Sequence, residues 1–308
     1  MSLAVVAMTA LLGVAVWVES ALDRVAVFSE YPGRPVGGAG TTWLLVGSDS
    51  RQDLTAEQQA EYSTGGDLGN GRTDTILLVH IPGLGARIPA TVVSIPRDSY
   101  VDIPGWGTDK INVAFAEGGP ALLAQTVEQA TGLRLDHYAE VGFAGFSAVA
   151  DSVGGVRVCL PDAVSDPLAG ISLPAGCQTL NGPQTLGYVR SRATPRADLD
   201  RMVHQRGVLS ALQDRAGSPA LWLNPWRWYA VPRALLGALT VDQGTHVWDL
   251  ARLGWSIRGA AAVTVPIGEF VTNDSGDVVI WDYAAAGALF EALRSDSPIP
   301  QQVLDAQP

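Results

Sequence analysis

The chain has 308 residues, 47% of them hydrophobic and 17% charged, with a formal net charge of −11. That length supports one large domain or two small ones. An acidic chain of this kind lacks the broad basic face that general nucleic-acid binding requires, so no nucleic-acid partner is expected, although a local anion site within a cleft is compatible with it.

From Met1 to Val18 the sequence carries no charge. With Glu19 at the interface, the apolar run reaches nearly to Leu22, long enough to cross a bilayer as one helix. We read residues 1–23 as an uncleaved, single-pass membrane anchor that leaves the rest of the chain outside the cytoplasm. A cleaved signal peptide is the rival reading, but no A-x-A site stands out. The basic flank that either reading calls for is missing, which points to a true start upstream of Met1. Residues 24–40, rich in Gly and Pro, read as a linker.

Beyond the linker, TTWLLVG has the pattern of a buried strand ending in glycine. SDSRQDLTAEQQAEYSTGGDLGNGR is polar and reads as a loop with one helical turn. TDTILLVHI and RIPATVVSI are strands. Alanines and leucines at helical spacing predict a helix from Pro120 to Thr131, stopped by Gly132. HYAEV follows as a strand, FAGFSAVADSV as a helix and VRVCL as a strand. Past Asp200 the pattern is mainly helical, in RMVHQRGVLSALQDR, WRWYAVPRALLGAL and HVWDLARLGWSI. AAVTVPI and DVVIW are late strands, DYAAAGALFEALR is a closing helix, and residues 296–308 read as a disordered tail. Apolar strands alternating with helices imply an α/β sandwich with helices on both faces of a sheet.

The only two cysteines are Cys159 and Cys177. An even pair in a chain read as exported predicts one disulfide, with two buried thiols as the alternative. Closing a loop of this size would stabilise the fold by roughly 3 kcal/mol.

No phosphate-binding loop, dinucleotide fingerprint, nucleophile elbow or zinc-protease motif is present. The four histidines are scattered and read as structural. Polar residues gather instead at strand ends: Asp49 and Arg51 after WLLVG, Arg72 and Asp74 before ILLV, Arg97 and Asp98 after VVSI. Ligands in α/β sheets bind where loops leave the carboxyl ends of strands, an edge that Asp74 reaches only if its strand runs antiparallel or its loop folds back. Magnesium is held by one or two carboxylates together with substrate phosphates, and arginine forks match phosphate oxygens in pairs. Paired aspartates among arginines thus resemble a pyrophosphate site, against the plainer reading of surface salt bridges worth about 0–1 kcal/mol each. A second concentration of charge is YVRSRATPRADLDRMVHQR, with Arg190, Arg192, Arg196, Arg201 and Arg206. Arg201 and Gln205 share one helical face, and Arg190 and Arg192 lie two apart. Lys110 is the only lysine in the chain.

LLVGSDSR, GRTDTILLVHI, VVSIPRDSYVDIPG, DKINVAFAEGG, VGFAGFSAVADSVGGVRV, LNGPQTLGYVRSR and DLDRMVHQR occur in that order between Thr41 and Leu293. The series resembles the LytR-CpsA-Psr (LCP) family of bacterial envelope proteins. The resemblance implies an α-β-α sandwich with a mixed central sheet, placed here at residues 41–295. It also implies a membrane-anchored phosphotransferase that takes a glycopolymer phosphate from a polyprenyl-pyrophosphate carrier. The acceptor would be a peptidoglycan hydroxyl, and polyprenyl monophosphate would be released. Carried over by motif, Asp49 and Asp74 would hold Mg²⁺, and Arg51, Arg97, Lys110, Arg190, Arg192, Arg201 and Gln205 would bind pyrophosphate. Asp74, Asp98, Arg97 and Arg190 would form the catalytic set, with Asp98 of P-R-D in an acid–base or a supporting role. Two other readings use the same donor site: a hydrolase with water as acceptor, and a non-catalytic lipid or glycan carrier. The stretch between Asp49 and Asp74 is longer than the family leads one to expect, and would form a lid or an acceptor contact.

Overall fold

The computed structural model describes residues 19–49, 55–62, 73–191 and 227–305, together with Gly13, Val16, Trp17, Gly71, Gly207, Val208, Ala211, Leu212 and Arg215. In chain order the elements are β1 (Asp23–Val25), β2 (Thr41–Ser48), α1 (Ala56–Glu61), β3 (Thr73–Ile81), β4 (Thr91–Ile95), β5 (Tyr100–Ile103), β6 (Gly107–Lys110), α2 (Ile111–Thr131), β7 (His137–Val141) and α3 (Phe143–Ser152). There follow β8 (Val156–Leu160), β9 (Val164–Asp166), β10 (Ile171–Leu173), β11 (Gly176–Leu180), α4 (Gly182–Arg190), α5 (Arg227–Gly237), β12 (Leu239–Asp242) and α6 (Val247–Ser256). The chain closes with β13 (Ala261–Thr264), β14 (Ile267–Asn273), β15 (Gly276–Trp281), α7 (Tyr283–Arg294) and α8 (Gln301–Asp305). Two compact units divide it: Met1–Asp49, Asn70–Glu140 and Thr240–Pro308 form the first, Ser50–Gly69 and Val141–Leu239 the second.

The first unit is built on a seven-stranded sheet in the order β1-β12-β7-β2-β3-β4-β13. β2, β3 and β4 run antiparallel, whereas β4 with β13 and β1 with β12 are parallel, so the sheet is mixed as expected. Successive side chains of a strand point to opposite faces. Trp43 and Leu44 are adjacent and both buried, as are Leu78 and Val79, so both faces of the central strands are covered. This is why those strands read as near-continuous apolar runs rather than alternating ones.

The helix predicted from Pro120 begins earlier, at Ile111. It bends where Gly119 takes φ 62° and ψ −156°. Pro120 has no N–H to donate to the preceding turn and restarts the helix after the bend, so the Gly-Gly-Pro run hid the first half of the element. Gly132 stops it in the left-handed conformation at φ 69°, as predicted.

Two stretches differ from expectation. Residues 24–40 are not a free linker. β1 joins the sheet, Val27 is buried in the main core, and Arg34 reaches the buried Glu128 through Nε and Nη2 at 3.0 Å. Tyr31 Oη donates to the same carboxylate at 2.9 Å. Nor is the tail disordered from residue 296. Asp296 Oδ1 lies 2.7 Å from Nε2 of the buried His80, and α8 inserts Val303 fully into the core. A single apolar side chain in a polar, proline-bearing stretch is too weak a pattern to announce a helix. Among the described residues no helix is long and apolar enough to cross a membrane; most of the run from Met1 to Val18 lies outside them.

In the second unit α3 packs against α4 and α5. α4 starts at a capping box in which Asn181 and Gln184 exchange side-chain-to-backbone bonds, with Pro183 in its first turn. A Cβ on Gly187 would fall 2.5 Å from the Ala169 carbonyl oxygen, so only glycine lets this helix approach the β9–β10 hairpin so closely. β8 and β11 pair antiparallel, with Cys159 directly opposite Cys177. The two form the predicted disulfide, their Cα atoms 3.9 Å apart. The helical turn expected in the polar loop is α1, whose capping box joins Thr55 and Gln58. Of the helix expected over RMVHQRGVLSALQDR, Gly207, Val208, Ala211, Leu212 and Arg215 are helical and the rest lies outside the described residues.

Candidate active site

The β2–β3 pairing decides where the two aspartates fall. Because β3 runs antiparallel to β2, its first residues lie beside the end of β2, and Asp74 meets the condition set for it in the sequence. Gly47 pairs with Thr75 and Ser48 with Thr73, so Asp74 is the extra residue of a β-bulge. A bulge breaks the alternation of a strand and re-aims one side chain. Here Asp74 and Thr75 are both exposed in succession while Thr73 and Ile76 are buried. Asp49, partly buried, follows β2 at the same sheet end.

β4 ends at Ile95 and the chain turns through Pro96, Arg97, Asp98 and Ser99. Three main-chain bonds hold this turn: Ser99 N to Pro96 O at 3.0 Å, Asn112 N to Arg97 O at 3.2 Å and Val279 N to Asp98 O at 2.9 Å. Trp281 Nε1 donates to Ser99 Oγ at 2.8 Å, both buried. The turn is therefore fixed by the first residues of α2 on one side and by β15 on the other. A site whose groups are held before substrate arrives needs no reorganisation during reaction.

On this scaffold four charged groups alternate in sign. Arg97 pairs with Asp74 through Nη1 and with Asp98 through Nε, the latter at 3.4 Å. Lys110 Nζ lies 3.4 Å from the other Asp98 oxygen. Burial alone would lower the Arg97 pKa, but the Asp74 hydrogen bond and the two carboxylate charges outweigh it and hold the guanidinium above its ordinary value. The side chains of Arg97, Asp98 and Lys110 keep about a fifth to a third of their surface exposed, and Asp74 nearly half, so the row is open to a ligand from solvent. Lys110 sits in the N-cap position of α2, which explains how the K-I-N segment aims it at the turn.

The oxygens here fit a hard cation. Thr73 Oγ1 is fully buried and has no hydrogen-bond partner among the described residues. A buried hydroxyl without a partner is costly, and this one directly precedes Asp74 in the chain. Among the described residues no three His, Cys, Asp or Glu side chains are grouped as a metal cage. Two carboxylates at one sheet end, Asp49 and Asp74, are the kind of oxygen donor that a hard ion such as Mg²⁺ takes together with phosphate and water.

Arg190 belongs to the second unit, at the last residue of α4. Its Nη1 donates to the Tyr62 carbonyl at 2.9 Å, and its guanidinium lies 4.8 Å from the Phe143 ring centroid. The next residue, Ser191, is buried and donates to Asp166 Oδ2 at 2.8 Å. Arg51, Arg72, Arg192, Arg196, Arg201, Gln205 and Arg206 lie outside the described residues. Sequence reasoning missed Thr73, Ser99, Asp166 and Trp281. Thr73 stands in the quoted R-T-D-T run and Ser99 directly follows P-R-D, so neighbourhood in the motifs was the available signal; nothing in the sequence marks Trp281 or Asp166.

The LytR_cpsA_psr family model matches residues 34–286. Two curated relatives come from Corynebacterium glutamicum. The "probable cell wall biosynthesis protein LcpB" is 52% identical over 283 residues, covering 91% of this chain and 67% of its own length. The "cell wall biosynthesis protein LcpA" is 36% identical over 312 residues, covering 89% of this chain and 60% of its own length. The chain therefore spans about two thirds of the length of these relatives. Among solved structures, the LytR-Csp2A-Psr enzyme from Actinomyces oris superposes with a TM-score of 0.61 at 22% identity, over 89% of this chain and 96% of its own. TagT, solved bound to LI-WTA, gives 0.57 at 24% identity, over 89% of this chain and 99% of its own. At such identities the likeness speaks to the fold. With the family model matching residues 34–286 and a relative 52% identical over 91% of the chain, the chain belongs to the LytR-CpsA-Psr family, whose relatives here are cell wall biosynthesis proteins.

Proposed function

We propose that the chain is a phosphotransferase that moves a glycopolymer phosphate from a polyprenyl-pyrophosphate carrier to a peptidoglycan hydroxyl. The observation that carries this reading is the row Asp74–Arg97–Asp98–Lys110 about a braced turn: it is rich in charge and part of the family's own motifs, while the adjacent Ser99 hydroxyl is buried and accepts from Trp281 rather than facing solvent as a nucleophile. Phosphoryl transfer asks for positioning and charge neutralisation and little covalent chemistry from the protein. The acceptor oxygen forms a bond to the glycan-side phosphorus while the bond from that phosphorus to the bridging oxygen breaks. The lipid leaves as its monophosphate, and the hydroxyl proton passes to a carboxylate, for which Asp98 and Asp74 are available. Arg97 and Lys110 neutralise the phosphate oxygens. By motif, Arg51, Arg190, Arg192, Arg201 and Gln205 add pyrophosphate contacts. Asp49 and Asp74 would hold Mg²⁺, which when bound supplies positive charge beside the pyrophosphate. The apolar run at the N-terminus would keep the chain in the membrane that carries its lipid donor, with the catalytic units outside the cytoplasm.

The test is release of polyprenyl monophosphate from a lipid-pyrophosphoryl glycan by the full chain in detergent, with and without Mg²⁺ and peptidoglycan. Release that depends on the acceptor and yields a glycan–peptidoglycan product is the expected result. Equal release without acceptor would replace the transferase by a hydrolase, and tight donor binding without release by a carrier. Activity undiminished in a chelator would remove the metal.

A further inference from the structure

We propose that α6 lies on the bilayer surface, with the rings of Trp248 and Trp255 at the level of anionic headgroups. Tryptophan is costly to leave in water, yet Trp248 is 60% exposed and Trp255 75%. They stand seven residues apart, two helical turns, and so lie on one face of α6. Only Leu253 of this helix is buried. Arg252 and Arg258 are exposed alongside, and Arg258 lies 5.6 Å from the Trp255 ring centroid. The one acidic residue in the helix, Asp249, is turned back to accept from His246 N at 3.0 Å. On a chain of net charge −11 this is a cationic, aromatic stripe. Indole rings beside arginines are the side-chain set that settles at a membrane–water interface.

A lipid surface is chosen over a protein partner because of what lies next to the helix. Glu19 closes the uncharged N-terminal run, and its carboxylate meets His246 Nδ1 at 2.6 Å and accepts from Val247 N at 3.2 Å. The His246 ring stacks on Trp248 with centroids 4.4 Å apart. β1 starts at Asp23, so at most about 13 Å of extended chain separates Glu19 from the sheet. Arg24 shortens this further by pairing with the Glu19 carboxylate. With no slack tether, the start of α6 stays where the apolar run ends. The proposal rests on the anchor reading given above.

The test uses the full chain reconstituted in phosphatidylglycerol–phosphatidylcholine vesicles, plain or with brominated acyl chains that quench nearby indoles. The emission lost on Trp248→Phe/Trp255→Phe isolates the two rings from the other tryptophans. That increment should be largely quenched by brominated lipid, and the quenching should weaken in Arg252→Gln/Arg258→Gln. An unquenched increment in a chain that floats with the vesicles overturns the proposal alone. A chain that does not float removes the anchor reading and the proposal with it.

Discussion

Consider Arg97→Ala. The pair to Asp74 leaves side chains 32% and 45% exposed, and the pair to Asp98 leaves 32% and 34%. Half-open pairs of this kind contribute about 0–1 kcal/mol after solvent screening, so the urea midpoint should hardly move. The turn itself should persist, because its bonds run through main-chain atoms and the Trp281–Ser99 contact rather than through the guanidinium. Turnover is another matter. Removing one preorganised donor from developing oxyanion charge lowers rates by about 10²–10³, or about 3–4 kcal/mol of barrier. Loss of Arg97 also leaves Asp74 and Asp98 without the cation between them, which repels an incoming pyrophosphate. Arg97→Lys should recover little of this, since an ammonium cannot bridge two carboxylates as a planar fork does. The measurement is single-turnover release of polyprenyl monophosphate, with urea unfolding on the same samples. A variant that turns over within a few-fold of wild type would refute the placement of the site. So would a loss of activity matched by a loss of folded protein.

Arg190→Ala should likewise abolish release while leaving the unfolding transition in place; turnover at the wild-type rate would remove Arg190 from the site. Glu128→Ala should destabilise the first unit by about 3–5 kcal/mol by urea unfolding, since it leaves the buried Arg34 guanidinium with only the exposed Glu30 as an anionic partner and orphans the Leu135 amide. Adding Arg34→Met should restore part of that loss, and a cost under 1 kcal/mol for the single change would contradict it. Reducing Cys159–Cys177 should cost about 3 kcal/mol and lower the melting temperature; equal melting of oxidised and reduced samples would refute it. Burial first, then the Glu128 carboxylate, hold Tyr31 above its ordinary pKa of 10.0; burial, then Glu140, do the same for Tyr138. Their contribution is complete below pH 10 and is lost as pH rises beyond it, because the unfolded chain ionises first. Melting temperatures followed upward from pH 10 should fall, less steeply in Tyr31→Phe.

Strands buried on both faces announce themselves by unbroken apolar runs, so β2, β3 and β4 were legible. Elements defined by what they meet were not. α8 depends on one valine finding a core assembled from distant segments, and β1 on pairing with residues more than two hundred positions later. The same contrast holds in the site. Asp74, Arg97, Asp98 and Lys110 were readable from their motifs. That Asp74 is aimed by a bulge is a property of strand register, which one residue more or less would change. Trp281 braces the turn from a hairpin far along the chain, and no local pattern could have tied it to Ser99. The Gly-Pro composition of residues 24–40 misled because it describes a backbone, not the side chains of Val27 and Arg34 set within it.

The order of strands in the sheet has a consequence for biogenesis. β4 waits for β13, whose partner residue Ala261 follows Thr91 by about 170 positions, and β7 waits for β12, which emerges only after the whole of residues 142–238. A growing chain that has completed β2, β3, β4 and β7 thus presents two raw β edges while about the next hundred residues are made. Closing loops of this length adds little thermodynamic penalty, but it delays the pairing that would cover those edges. The half-made sheet is a template for aggregation until its last third arrives. We therefore expect nascent forms of this protein truncated before residue 261 to depend on a holding chaperone, and the completed chain to be free of that need.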